Sequence, residues 1–154
     1  MTTFSGKHPA PPEGTIQNQP FWPEMDLREF SVNFRVPNDL TVDTTREHLI
    51  QAMTDINLRL SEFKKENLAA GYDHLMEIPA DEIAGESILM ILYRRAVSCR
   101  AKASICRDYP TIDRREPAEN QAKSAPETEA VYLRFADEAI RQMLNETDIT
   151  VELL

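Results

Sequence analysis

The chain has 154 residues, enough for one domain with a modest hydrophobic core. Its 26 acidic residues outnumber 17 basic ones, and because affinity for phosphate backbones comes mainly from Lys and Arg, the net charge of −9 argues against tight general binding to nucleic acid. No apolar run approaches the roughly 20 residues of a membrane span, and the first residues lack the basic and apolar segments of a signal peptide. We therefore expect no membrane partner and a protein that begins in the cytoplasm.

Residues 1–43 are predicted to form an extended arm. Half of the ten prolines lie in the first 29 residues, and proline fixes φ and lacks a backbone N–H, so this segment cannot be a continuous helix or a central strand. The arm also carries Phe21 and Trp22, which solvated linkers seldom contain. We expect residues 17–35 to lie in a groove, and the alternative is a disordered tail.

Residues 30–36 alternate strictly between apolar and polar side chains. This period of two predicts a short, half-buried strand at the end of the arm. The following Pro37, Asn38 and Asp39 predict a turn. Because an isolated short strand is marginal, we expect it to need a partner.

Three long helices are predicted between residues 44 and 146. The first is expected to begin at a capping box, in which Thr44 accepts from the amide of Glu47, and to end near Gly71. Apolar residues recur on this helix at spacings of three and four, which places them on one face. They are Leu49, Met53, Ile56, Leu60 and Phe63.

The second helix is predicted from about Glu86 to Tyr109, because Pro110 ends it. Small residues dominate the second half of its apolar face. They include Cys99 and Cys106, whose separation of about 10 Å along a helix is too long for a disulfide. We interpret both cysteines as small core residues.

The third helix is predicted from about Pro126 to Glu146, after a polar loop over residues 111–125. Residues 147–154 alternate again and predict a short C-terminal β-strand, whose edge needs a partner. The predicted fold is therefore mainly α. It is a small helical bundle of three long helices in residues 44–146, with the extended N-terminal arm and the short C-terminal strand at its ends.

No constellation of residues points to catalysis. His8, His48 and His74 lie in different predicted environments, without a second metal ligand at helical spacing. The four glycines are isolated, which excludes a phosphate-binding loop, and no nucleophile motif is present. We therefore expect no enzyme, no metal and no cofactor. A small enzyme in the acidic loop around Asp73 and His74 is the weakest hypothesis.

A basic cluster flanks the apolar face of the predicted second helix. It consists of Arg94, Arg95, Arg100, Lys102 and Arg107. Three hypotheses remain open for it. The cluster is a border that pairs with acids of neighbouring helices, an intersubunit contact in which arginines grip carboxylates, or a set of contacts to DNA phosphates.

Candidate protein-interface residues lie in the arm, in the basic cluster and in the C-terminal strand. The arm and the strand are suited to clasping neighbouring chains, because exposed strand edges recruit partners. The candidates are Phe21, Trp22, Pro23, Phe30, Arg94, Arg95, Arg100, Arg107, Val151 and Leu153.

Segments in a fixed order along the chain resemble the phage head completion protein (GPL) family. They are residues 19–43, with FWPEMDLREF at 21–30; residues 86–87, 92–97 and 101–103 in the central helix; residues 107–109 followed by Asp113; and residues 150–154. The specificity comes from the ordered set, since no single segment is a catalytic signature. Residues 110–126 depart from the family pattern, which is richer in Thr and Gly there.

The resemblance implies a structural virion protein of a tailed phage that completes the head after DNA packaging. In that role it is a connector: a ring-forming adaptor on the portal protein at the head–tail junction, assembled in the host cytoplasm. Its implied partners are sister subunits in a twelvefold ring, tail terminator or neck proteins, and packaged DNA in transient contact. The family brings no cofactor and no catalytic residues. The alternative hypothesis is a protein that binds and protects DNA ends through Arg95 and Lys102.

Overall fold

The computed structural model describes residues 10–110 and 128–145, and most of these residues are helical. The helices are α1 (Leu27–Asn33), α2 (Val42–Arg59), α3 (Ser61–Ala69), α4 (Ile88–Asp108) and α5 (Glu129–Met143), with a 3₁₀ turn at Leu75–Glu77. Two short antiparallel ladders pair β1 (Thr15–Ile16) with β2 (Met25–Asp26), and β3 (Glu82–Ile83) with β4 (Glu86–Ser87). The prediction of a mainly α fold is confirmed.

Helix α4 is the central element of the bundle. It packs against α2 on one side and most extensively against α5 on the other, and it runs antiparallel to both. Ala96, Ala101 and Ala103 are buried along it, and their small side chains allow close approach of the neighbouring helices. Cys99 is buried and Cys106 is half-buried, and neither forms a disulfide within the described residues.

The predicted strand over residues 30–36 is wrong, because helix α1 occupies most of this segment. The helix begins at Asp26, whose carboxylate accepts a hydrogen bond from the amide of Glu29 at 2.8 Å. This N-cap satisfies an amide that a helix would otherwise leave unpaired. Leu27 and Phe30 then lie three residues apart on one buried face. A short alternating pattern therefore does not identify a strand where a capped helical turn with its own apolar face can form.

The predicted capping box at Thr44 and Glu47 is also wrong. Helix α2 begins earlier, after the N-cap Thr41, whose hydroxyl accepts from the amide of Thr44 at 3.1 Å. Thr41 is favoured as the cap because it places Asp43 in the first turn, where a negative charge suits the helix dipole.

The predicted first helix is broken into α2 and α3 at Leu60. Leu60 has φ −97° and ψ 15°, which lies outside the helical region, and its side chain is buried. The change of direction allows Phe63 on α3 to stack on Trp22, with ring centroids 6.3 Å apart. The break therefore supports a contact with the arm.

Helix α5 begins after Thr128, whose hydroxyl accepts from the amide of Val131 at 3.3 Å, and not near Pro126 as predicted. The predicted loop at 111–125 and the predicted strand at 147–154 lie outside the described residues. Across residues 10–110 and 128–145, no helix is both long and apolar enough to cross a membrane.

Candidate interaction surfaces

The aromatic residues of the arm lie in the core of their own chain. Trp22 stacks nearly parallel on Tyr93 of α4, with centroids 4.8 Å apart, and Phe21 meets it edge-on at 4.7 Å. Phe21, Trp22 and Phe30 are each at most 4% exposed, and Pro23 is half-buried. The groove predicted for residues 17–35 is therefore formed by the bundle of the same chain.

A closed hydrogen-bond network holds this stack in place. The Asn18 amide donates to the Tyr93 hydroxyl at 2.7 Å, which donates to Asn57 Oδ1 at 2.5 Å, and the Asn57 amide donates back to Asn18 Oδ1 at 2.9 Å. Burial raises the pKa of the Tyr93 hydroxyl above its usual value, so this group remains a donor. Because each member both donates and accepts, the network joins the arm, α2 and α4 without an unpaired group.

The interface role predicted for the arm aromatics stays a prediction, and this conformation leaves them almost no surface to offer. Their partners in the described structure belong to the same chain. Val151 and Leu153 lie outside the described residues.

Three arginines of the basic cluster have acidic partners within the chain. Arg94 pairs with Glu86, and Arg100 donates to the Asp55 carboxylate on α2 at 3.2 Å. Arg107 donates to Asp108 at 2.8 Å and lies 3.9 Å from Glu129 on α5. Its hydrogen bond lowers the pKa of the Asp108 carboxyl. The arrangement is that of the first hypothesis, a border paired with acids of neighbouring elements.

The two other cations of the cluster contact aromatic rings. Arg95 lies over the Phe135 ring at 5.3 Å. Lys102 is only 4% exposed, and its ammonium group donates to the Arg35 carbonyl at 3.2 Å and lies 6.0 Å from the centre of the Tyr132 ring. A buried ammonium cannot reach a DNA phosphate in this conformation, so the structure gives Lys102 a packing role.

Replacing Lys102 with alanine is expected to lower the free energy of unfolding by about 2–3 kcal/mol, because it removes buried methylenes and leaves the Arg35 carbonyl without this donor. The matched variant Arg95→Ala, which loses only an exposed ring contact, should lose about 1 kcal/mol or less. Urea denaturation measures both values. Equal, small losses of stability with a selective loss of DNA binding by Lys102→Ala would contradict the packing role.

His48, Ser104 and Asp108 lie near one another but do not form a catalytic triad. The Ser104 hydroxyl is hydrogen-bonded to His48 Nδ1 at 2.7 Å and lies 2.8 Å from the Ala101 carbonyl oxygen of its own helix. A catalytic triad also needs a carboxylate hydrogen-bonded to the histidine, and among the described residues Asp108 bonds to Arg107 instead. The His48–Ser104 contact joins α2 to α4.

His48 makes the stability of the chain sensitive to pH. Burial lowers its pKa below the usual 6.5, with Asp108 and Glu47 opposing the shift and Arg107 adding to it. The unfolded chain therefore binds a proton more readily, and His48 destabilises the fold as the pH falls below about 6.5. Between about pH 7.5 and 5, the melting temperature of the wild type should fall further than that of His48→Gln. Identical falls would show that His48 does not contribute.

Two large apolar side chains are exposed beside the β3–β4 hairpin. Met76, on the 3₁₀ turn, is 68% exposed, and Ile83, on β3, is 62% exposed and follows Asp81 and Glu82 in sequence. The turn Ala84–Gly85 has positive φ at both residues (54° and 77°), as a tight two-residue hairpin requires. We call Met76, Asp81, Glu82 and Ile83 the hairpin surface. Side chains of this size and exposure are candidates for contact with another protein.

A groove with a volume of about 690 Å³ lies between residues 16–19 and helices α2 and α3. Met53 is buried in its floor, Ile50 is half-buried, and Leu58 is 69% exposed. No described acidic side chain lines it. Three basic side chains do: Arg46, Lys64 and Lys65. We call this the α2/α3 groove.

Sequence reasoning missed both surfaces. A signal for the groove was present, because Ile50, Leu58 and Leu68 are apolar residues that fall off the predicted stripe of the first helix. The sequence did not indicate the hairpin, because Ala84 is an uncommon residue in a turn position that needs positive φ.

Within the described part of the chain, no group of three or more His, Cys, Asp or Glu side chains is placed to hold a metal ion. The described residues therefore form a helical bundle with two exposed apolar surfaces that are candidates for binding other proteins. The chain matches the phage head completion protein (GPL) family over residues 16–154, and it belongs to that family. The family suggested by the sequence is thereby confirmed.

Two phage proteins are similar in sequence. The head completion/stabilization protein of Escherichia phage P2 is 32% identical over 120 residues, which cover 78% of this chain and 71% of that protein. The "Probable head completion/stabilization protein" of Haemophilus phage HP1 (strain HP1c1) is 25% identical over 118 residues, covering 77% and 79% of the two chains. No solved structure matches.

Membership of the family gives the chain a structural role in completing the phage head, which is not an enzymatic role. It also places the chain in the virion, in contact with other head or tail proteins.

Proposed function

We propose that the chain is a ring-forming adaptor that binds the portal protein at the head–tail junction after DNA packaging. Sister subunits form a twelvefold ring, and the ring offers a platform to which tail terminator or neck proteins attach. The observation that supports this function is the presence of two separate apolar surfaces of opposite charge on one small subunit. The hairpin surface is acidic, and the α2/α3 groove is basic.

An adaptor in a ring needs at least three docking surfaces, two for its neighbours and one for another protein. A ring closes only through a heterologous contact, in which one face of a subunit meets a different face of its neighbour. Another surface must then bind a protein of different sequence. We assign the hairpin surface, with Met76 and Ile83, to the portal protein, and the α2/α3 groove to contacts within the ring.

The charge of the chain suits passage of DNA through such a ring. Affinity for DNA depends on cations that can reach phosphates. The arginines Arg94, Arg100 and Arg107 are engaged by carboxylates, and the net charge is −9. DNA contact is therefore transient in this proposal.

The alternative, a protein that binds DNA ends through the basic cluster, has less support. One of its two key residues, Lys102, is buried. A gel-shift assay of the full chain with linear DNA at about 50 mM salt separates the two functions, because a DNA-end protein should bind there and lose affinity steeply as salt is added.

The proposed function is tested by mixing the full chain with purified portal rings and measuring comigration in a density gradient. We expect comigration at micromolar concentrations, with subunits in a fixed ratio to the portal. No association at concentrations reached during assembly would contradict the proposal.

A further inference from the structure

The α2/α3 groove has the chemistry of a peptide-binding site. An apolar floor of Ile50, Met53 and Leu58 binds apolar side chains, and basic side chains beside it attract carboxylates. The basic side chains are only weakly engaged. Lys64 donates to the neutral Gln19 side chain at 3.1 Å. Lys65 lies 3.9 Å from Glu62, and the side chains of Lys65 and Glu62 are well exposed. An acidic, apolar segment therefore fits this groove best.

Residues 146–154 of this chain have that composition. They carry three acids, Glu146, Asp148 and Glu152, and no basic residue. In extended chain, alternate side chains point to opposite sides, so one side presents an apolar row. The row consists of Ile149, Val151 and Leu153. The acids Asp148 and Glu152 lie on the other side.

The lengths of the segment and the groove agree. On α2 the groove extends from Arg46 to Leu58, and 12 residues of helix rise about 18 Å. Residues 148–153 in extended form span about 20 Å. One apolar row of three side chains can therefore follow the floor along its length.

The groove and helix α5 lie on opposite sides of α2. Arg59 on α2 pairs with Asp137 on α5 at 2.7 Å, which identifies the side that faces α5. Ile50 in the groove lies nine residues before Arg59, about two and a half helical turns, so the two side chains point in opposite directions. The segment that follows α5 therefore starts on the side of the subunit away from the groove. This arrangement favours the groove of a neighbouring copy.

We propose that residues 146–154 of each subunit bind the α2/α3 groove of the next subunit. The proposal rests on the ring-forming function proposed above, and it names the contact that joins sister subunits. Since the bound segment and the groove are different surfaces, the contact is heterologous and repeats from copy to copy until the ring closes. Ile149, Val151 and Leu153 contact the floor, while Asp148 and Glu152 point away from it, within reach of the long side chains of Arg46, Lys64 and Lys65 at the edges of the groove.

The contact is tested first with a fluorescent peptide of residues 146–154. The receptor is the full chain carrying Ile149→Asp and Val151→Asp, which keeps its own segment out of the groove. We expect saturable binding by fluorescence anisotropy, weakened at least tenfold when Arg46→Glu and Lys65→Glu are added. The matched charge reversal Arg134→Glu, on the exposed face of α5, should leave the affinity unchanged.

A charge swap shows whether the receptor with Arg46→Glu and Lys65→Glu is still folded. A peptide with Asp148→Lys and Glu152→Lys should recover binding to that receptor. It should bind poorly to the receptor with the native Arg46 and Lys65. Failure of the native peptide to bind at about 1 mM, equal binding to both receptors, or absence of rescue would each overturn the proposal.

A mixing experiment distinguishes contact between copies from contact within one copy. The segment variant (Ile149→Asp, Val151→Asp) keeps an intact groove, and the groove variant (Arg46→Glu, Lys65→Glu) keeps an intact segment. In sedimentation velocity, we expect each variant alone to stay monomeric and the mixture to form one-to-one dimers that grow no further. No dimer in the mixture would overturn the contact between copies.

These results are independent of the portal experiment. Binding of the peptide without comigration of the wild-type chain with portal rings would support the subunit contact and contradict the proposed function. Comigration with the portal without binding of the peptide would support the function and contradict the subunit contact.

Discussion

Replacing Trp22 with alanine is expected to lower the free energy of unfolding by about 3–5 kcal/mol, the range for removing a buried large aromatic side chain. Trp22 stacks on Tyr93 and Phe63 and meets Phe21 edge-on, so the change empties the space between the arm and the bundle. Small domains are stable by only about 5–15 kcal/mol in total. Urea denaturation followed by circular dichroism measures the loss.

The matched variant Trp22→Phe should cost much less. It keeps a ring between Tyr93 and Phe63, and it removes the indole Nε1–H, which is buried and has no hydrogen-bond partner among the described residues. An unpaired buried donor costs about 1–3 kcal/mol, which partly offsets the lost contact area. In Trp22→Ala the loosened arm should also be cut faster by trypsin after Arg28. Small, equal losses in both variants would show that the stack does not hold the arm.

Replacing Met76 and Ile83 together with aspartate is expected to weaken binding to portal rings by about 30-fold or more, the effect of losing a central contact of about 2 kcal/mol. Both side chains are mostly exposed, so the free energy of unfolding should change by about 0.5 kcal/mol or less. Comigration with portal rings across a concentration series measures the affinity, and urea denaturation checks the fold.

Val32→Asp is the matched control for the hairpin surface. Val32 is also exposed and apolar, but it lies on α1, outside both the hairpin surface and the α2/α3 groove. We expect it to bind portal rings like the wild type. Loss of portal binding in Val32→Asp, with binding retained in the hairpin variant, would move the portal contact to the surface of α1.

The sequence predicted the elements whose signals are local and strong. Helix α4 was expected at residues 86–109 and is found at Ile88–Asp108, because a long apolar face and Pro110 define both its length and its end. Helix α1 was missed, because seven alternating residues fit a strand as well as a short helix. The Asp26 cap and the burial of Leu27 decide between them, and burial is not visible in sequence.

The contacts of the candidate surfaces depend on residues that are distant in sequence. The aromatic residues of the arm indicated that it is not a solvated linker, but not that Trp22 packs on Tyr93, 71 residues later in the chain. The basic cluster was found, and the pairing of Arg100 with Asp55 follows only from the packing of α4 on α2. Burial of Lys102 had no signal, since lysine is seldom buried in proteins.

The ring stack between Trp22 and Tyr93 also has a consequence for protein synthesis. The arm leaves the ribosome before its binding site exists, because the site needs Asn57 and Tyr93. Bringing such distant residues together is slow compared with forming local helical turns. Phe21 and Trp22 are therefore open to solvent, and to chaperones, while the nascent chain grows. We expect the arm to fold only after α2 and α4 have formed, although it is translated before both.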